Sequence, residues 1–292
     1  MDGILIIDKP IGKTSFDIVR EVRKEYNTKK VGHIGTLDPL ATGVLPILIG
    51  KATKLSNFLM EHDKEYKSTV KLGIKTDTSD AEGKIIKDDK LADNYLQSLA
   101  KKNNTLPVEL SVYIQNILDT FKGESYQTPP MYSAIKINGK KLYDYAREGK
   151  TIERTPRKIL ISKITLLNID LEQNEITFKV ICSKGTYIRT LCEDIAEKLE
   201  TCGYMKYLQR TMVGNFKIEQ SNNFITLEKI FSTNPKIDVK DLEKLKNGMN
   251  LPIENTISNS YSGLCNAYYS NKFIGICKIN NGYYKRFILI DE

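Results

Sequence analysis

Apolar positions along the chain recur first with strand spacing, then with helix spacing. Gly3–Ile7 is a short apolar run stopped by Asp8-Lys9-Pro10 and reads as a strand. Thr14 or Ser15 then serves as a helix N-cap, with Asp17 placed for a capping box from Thr14. Phe16, Val19 and Val22 suit the inner face of the helix that follows. Gly32–Gly43 is rich in Gly, Thr and Pro and reads as a loop. Tyr66–Gly73 alternates like a strand, and Val108–Phe121 sets Leu110, Ile114, Ile117 and Leu118 on one helical face. Leu160–Leu171 and Ile176–Ser183 are two strands joined at Gln173-Asn174. Gly185 opens a helix through Leu199, and Lys206–Val213 is another strand. Strands and helices mix without a regular βαβ repeat, so the expected class is α+β.

Two stretches stand apart. Gln127–Lys158 is rich in Pro, Gly, Lys and Tyr and reads as a long excursion from the core. Past a polar stretch at Phe231–Lys240, Phe273–Ile279 and Tyr284–Ile290 flank Asn280-Asn281-Gly282, a strong hairpin signal. A small β-rich module is expected there.

Charge adds a partner class. The net charge is +8, and only +1 of it lies from Asp238 onward. Tyr132–Lys158 holds 8 basic and 3 acidic residues interleaved with Tyr132, Tyr143 and Tyr145. Cations that track a backbone and aromatics that stack on bases suit RNA. A solvated loop whose charges do nothing specific is the plainer alternative.

The five cysteines form no CxxC pair, and His33 and His62 are the only histidines, so neither a zinc cluster nor a redox pair is expected. No run approaches the ~20 apolar residues of a membrane span. Ile4–Ile7 is too short for a secretory signal. The cytoplasm is the expected location.

Local rules make Asp38-Pro39 a helix cap followed by a first-turn proline. Gly32, Gly35 and Gly43 around it allow close approach of backbone to a ligand, and a carboxylate held among small residues is also a candidate nucleophile. Gly185–Thr190 divides in the same way. It is a strand-to-helix turn capped by Thr186, or a site where Tyr187 stacks and Arg189 pairs with an anion. Gly12-Lys13-Thr14 invites a phosphate-loop reading, but that pattern needs glycine where Ile7 stands.

Seven segments together resemble the bacterial TruB-type tRNA pseudouridine synthases. They are Gly3–Gly12, Val31–Pro46, Lys64–Lys67, Leu72–Gly83, Pro130–Gly149, Cys182–Thr190 and Tyr207–Thr211, in family order over Met1–Val213. The resemblance implies a mixed, mainly antiparallel sheet with flanking helices. It implies isomerisation of uridine 55 in the tRNA T-loop, with Asp38 as the catalytic carboxylate. By the same token His33 helps displace the target base, Tyr66 stacks on it, Arg189 pairs with Asp38, Tyr187 stands beside them and Leu208 walls the pocket. Lys9, in the first matched segment, joins the substrate-binding set. No cofactor and no metal are implied, and the partner is the tRNA T-arm, bound by a monomer. The expected domains are a catalytic one at 1–236, with an RNA-clasping insertion at 132–158, and a reduced PUA-like RNA-binding module at 237–292. A non-catalytic RNA-binding protein would also explain the charge and the aromatics, but it would not need Asp38, Tyr66 and Arg189 to converge.

Overall fold

The computed structural model describes residues 1–89, 95–102, 107–253 and 261–290. Its frame is a ten-stranded sheet. Across it lie Phe224–Thr226, Gly3–Lys9, Thr42–Ile49, Gly203–Val213, Lys64–Leu72, Glu175–Cys182, Arg157–Asp170 and Gly123–Gln127, with Val31–His33 and Phe216–Lys217 paired alongside. Every pairing in this sheet is antiparallel except one. Thr42 and Gly43 run parallel to Gln209 and Arg210, at the sheet's centre. The mixed, mainly antiparallel α+β architecture is therefore the observed one.

Alternation explains the strands. In Glu175–Cys182 every second residue is buried, among them Ile176, Phe178 and Val180. Burying each such side chain contributes roughly 1.5–3 kcal/mol. They pack with Leu110, Ile114 and Leu118 from the Pro107–Asp119 helix and with Leu191 and Ile195 from the Ile188–Lys198 helix. Leu37, Leu40 and Leu208 belong to the same cluster, so the loop around Asp38 is rooted in the main core.

The Ser15–Glu25 helix begins at Thr14 with the expected capping box. Its inward face is Ser15, Ile18, Val19 and Val22, whereas Phe16 is exposed. Phe16 lies off that stripe and instead carries Arg20 and Arg23 over its ring. The excursion is more regular than a loop. It leaves and rejoins the sheet where Gln127 pairs with Arg157. Between them lie a small hairpin, Lys136–Ile137 with Lys140–Lys141, and the Leu142–Arg147 helix.

A second, five-stranded sheet runs Lys236–Asp238, Gly263–Tyr269, Lys272–Asn280, Tyr283–Leu289 and Leu251–Pro252. Asn281 and Gly282 both adopt positive φ, at 51° and 76°, as a two-residue hairpin of this twist requires. Leu264, Ile276 and Ile288 pack against Ile4, Ile6 and Leu48 of the first sheet, so the two sheets share a core.

Candidate active site

Asp38 does not cap a helix. It opens a tight turn closed by a bond from the Ala41 amide to its carbonyl at 3.0 Å. Proline suits the second position of such a turn as well as a helix start, which is why local rules mistook one for the other. The turn is held from several sides. Ser15, inward on its helix, accepts from the Leu37 amide at 2.8 Å and donates to the Leu37 carbonyl at 3.2 Å. The Pro39 carbonyl receives the Gly12 amide at 2.8 Å and the Lys9 ammonium at 3.2 Å.

Lys9 was expected on the substrate. Instead it is wholly buried and also donates to the carbonyls of Pro10 and Lys13, at 2.9 and 2.7 Å. Its three donors are thereby committed to backbone, and it faces the turn rather than solvent. Burial lowers its pKa, with the Asp38 charge opposing.

Arg189 meets Asp38 directly, Nε to Oδ2 at 3.2 Å. The same guanidinium reaches Asp80 Oδ2 at 3.4 Å, the Thr78 carbonyl at 3.3 Å and the Tyr132 carbonyl at 2.8 Å. The Arg189 side chain is 7% exposed, that of Asp80 6% and that of Asp38 37%, so one cation bridges a hidden acid and an accessible one. Burial pushes the Asp80 carboxyl up, while the Thr78 hydroxyl and then Arg189 pull it down. Only Asp38 keeps a face free to act on something outside the protein.

The turn before Arg189 also differs from expectation. Thr186 donates to the Ser183 carbonyl at 3.0 Å, and the helix cap is Tyr187, which makes no side-chain capping bond. The buried Gln127 amide stands in. It accepts from the Tyr187 amide at 2.7 Å and donates to the Tyr187 carbonyl at 3.0 Å.

Tyr66 is half-buried against the cluster that contains Leu37, Leu40 and Leu208. It pairs across the sheet with Arg210, and Leu208 pairs with Ser68, so Tyr66 and Leu208 are diagonal neighbours on one face. Burial raises the Tyr66 pKa, opposed by the charge of Arg210. His33 ends the short Val31–His33 strand. Burial lowers its pKa, the Arg210 charge adds to this, and the Gly35 backbone opposes it. Asp38 and Arg189 are thus in contact, and Tyr66 and Leu208 pack in the cluster that roots the Asp38 turn, whereas Tyr187 is tied to Gln127 on the sheet's edge strand and His33 ends its own short strand.

Sequence reasoning gave Ser15, Asp80, Gln127 and Arg210 no part in the site, Ser15 having been read only as a candidate helix cap. Arg210 left one signal, because it shares the inward phase of its strand with Leu208. A charge in an apolar phase marks a buried cation.

A surface cavity of about 470 Å3 lies elsewhere, on the second sheet, lined by Asn250, Lys278, Asn280, Asn281, Tyr283 and Lys285. Its lining holds no carboxylate, so it is no rival for the reaction centre. Among the described residues, no group of three or more His, Cys, Asp or Glu is placed to hold a metal ion, and no helix is long and apolar enough to cross a membrane.

Residues 23–188 match the model of the TruB family pseudouridylate synthase N-terminal domain, and residues 189–256 that of the tRNA pseudouridylate synthase B C-terminal domain. The chain belongs to the TruB family of pseudouridylate synthases. A TruB relative from Clostridium kluyveri, named tRNA pseudouridine synthase B, is 43% identical across 94% of this chain and 95% of its own length. One of the same name from Clostridium acetobutylicum is 50% identical across 84% of this chain and 77% of its own. Two solved structures share the TruB-type fold. A Cbf5-Nop10-Gar1 complex matches with a TM-score of 0.65 at 22% identity, covering 98% of this chain and 84% of that one. The archaeal box H/ACA sRNP Nop10-Cbf5 complex matches at 0.61 and 22%, covering 96% and 79%.

Proposed function

We propose that the chain converts uridine 55 in the T-loop of tRNA to pseudouridine, with Asp38 as the catalytic carboxylate. The observation that carries this reading is the Arg189–Asp38 contact at 3.2 Å, in a turn whose backbone is tied by Ser15 and Lys9. A non-catalytic RNA-binding protein has no need of a fixed, accessible carboxylate facing a buried arginine. The relatives' name supports tRNA as the substrate.

The reaction breaks N1–C1′, turns the uracil and joins C5 to C1′. The C5 proton leaves and N1 regains one, so atoms balance without a redox carrier or energy source. Asp38 acts as an anion in either of two routes, addition to the nucleoside or removal of a sugar proton. The target base lies in a structured loop and must be turned out, at a cost of a few kcal/mol. Stacking on Tyr66 offsets about 1–3 kcal/mol of this. Leu208 and Tyr187 enclose the detached uracil while it turns, and His33 contacts the RNA as the base leaves its stack. Lys9 acts through the turn it holds.

The 132–158 insertion clasps the T-arm, with Lys140 over the Tyr145 ring at 4.8 Å and Lys141 over the Tyr143 ring at 5.0 Å. The catalytic domain spans 1–236, and 237–292 is a reduced PUA-like RNA-binding module. The enzyme works as a cytoplasmic monomer.

The test is incubation with unmodified tRNA and with an isolated T-arm stem-loop, followed by carbodiimide labelling and primer extension. A single new stop one nucleotide 3′ of position 55 is expected in both RNAs. A stop elsewhere, or none, contradicts the assignment.

A further inference from the structure

Arg210 points inward from the Gly203–Val213 strand and is 1% exposed. No acid among the described residues pairs with it. Its acceptors are neutral. Nε donates to the Val44 carbonyl at 2.8 Å, Nη2 to the Gly35 carbonyl at 3.0 Å, and Nη1 reaches the Thr36 carbonyl at 3.5 Å. Tyr66 stands directly opposite Arg210 on the neighbouring strand. Burying a guanidinium without an acid is costly. One or two carbonyls could be held by a neutral amide with no such cost. Only a guanidinium offers five donors in a rigid fork.

The acceptors explain the fork. Gly35 and Thr36 precede Asp38 and Val44 follows it, so one group closes both ends of the catalytic segment. The strand of Tyr66 lies on the other side, in register with Arg210. The segment also presses close. Gly43 has φ +103°, and a Cβ there would lie 2.1 Å from the Arg210 carbonyl oxygen.

We propose that Arg210 is a positioning residue for the isomerisation, setting the Asp38 turn and the Tyr66 ring in one frame so that carboxylate and stacked base meet. This rests on the roles of Asp38 and Tyr66 proposed above. Arg210 is buried and acts through those two groups. Its loss therefore falls on turnover rather than on tRNA binding.

The test uses the full chain with Arg210→Lys and Arg210→Gln, and Asp38→Asn in parallel. The readouts are tRNA affinity, single-turnover tritium release from C5 at saturating tRNA, the unfolding midpoint and amide exchange over residues 34–44. Both Arg210 variants are expected to bind tRNA within about threefold of wild type and to react about a hundredfold more slowly, the scale of a misplacement near 1 Å. Exchange in 34–44 should quicken. Lysine keeps the charge and loses the fork, so it should recover less than about tenfold over glutamine. A near wild-type rate for Arg210→Lys, or a defect that vanishes at saturating tRNA, overturns the proposal. If an Arg210 variant fails to fold, Tyr66→Phe keeps the ring and removes only the phenol oxygen of the residue that stands opposite Arg210. It should lose rate with binding kept, and a wild-type rate overturns the proposal equally. Product from Asp38→Asn would overturn the underlying reading. An inactive Asp38→Asn beside a fully active Arg210→Lys would overturn the Arg210 proposal alone.

Discussion

The Asp38 segment and the excursion between Gln127 and Arg157 solve opposite problems with similar residues. Cations serve both: Lys9 and Arg210 brace the first from neighbouring strands, and the second carries its own. In the first, Lys9 and Arg210 are buried and committed to backbone carbonyls. In the second, Lys140 and Lys150 pair with Glu148 in the open, and Lys140, Lys141 and Arg147 lie over tyrosine rings. A buried cation fixes geometry, because its bonds are made in low dielectric and are costly to leave unmade. An exposed one is worth little to stability but draws a polyanion to the surface. A chain that must both hold a reacting atom still and grip a large, variable RNA needs one region of each kind.

The largest effect should come from Arg189→Met, which strands the Asp80 carboxylate in the interior. A loss of about 3 kcal/mol in denaturant unfolding is expected, together with activity. Adding Asp80→Asn should restore most of the stability and none of the turnover. Recovery of both would mean that Arg189 serves only the fold. Glycine gives a direct contrast between the two regions. Gly43→Ala places a Cβ against the Arg210 backbone and should cost about 3 kcal/mol. Gly149→Ala also has positive φ but meets nothing within 4 Å, so it should cost only about 1 kcal/mol. Equal midpoints for the two would erase the distinction between a pressed and an open segment.

Removing charge from the excursion, with Lys140→Ala and Lys141→Ala together, should weaken tRNA binding and lower the salt slope by about 1 for each phosphate left without its lysine. Stability should move by less than about 0.5 kcal/mol. An unchanged slope would detach the excursion from phosphate. The smallest effect concerns His33, whose pKa in the fold lies below the ordinary 6.5. The unfolded chain then takes up the proton first. The contribution is fully present above pH 6.5 and is lost as pH falls through the lowered value. His33→Gln should flatten that part of the stability profile, as read from unfolding midpoints between pH 5 and pH 7.5.

Much of the fold was legible because it follows from period. The alternation in Glu175–Cys182, the capping box at Thr14 and the Asn281-Gly282 turn are local rules that the tertiary structure obeys. The site was legible in part. Local rules left each turn open between a cap and a site, and the ordered resemblance decided for Asp38 and Arg189. Both caps proved absent for tertiary reasons: Ser15 and Lys9 hold the Asp38 turn, and Gln127 holds Tyr187, from 22, 30 and 60 residues away in sequence. Local rules do not see partners at that separation. Phe16 was misplaced because its apolarity was read before the stripe of Ser15, Ile18, Val19 and Val22 was drawn.

The central claim is that the turn exists to present one carboxylate. Asp38→Asn keeps its shape and removes its charge. In single-turnover reactions with C5-tritiated tRNA, the variant should release tritium about ten-thousandfold more slowly than wild type, or not at all. It should still bind tRNA within about threefold and unfold at a similar midpoint. Release at a near wild-type rate would contradict the account.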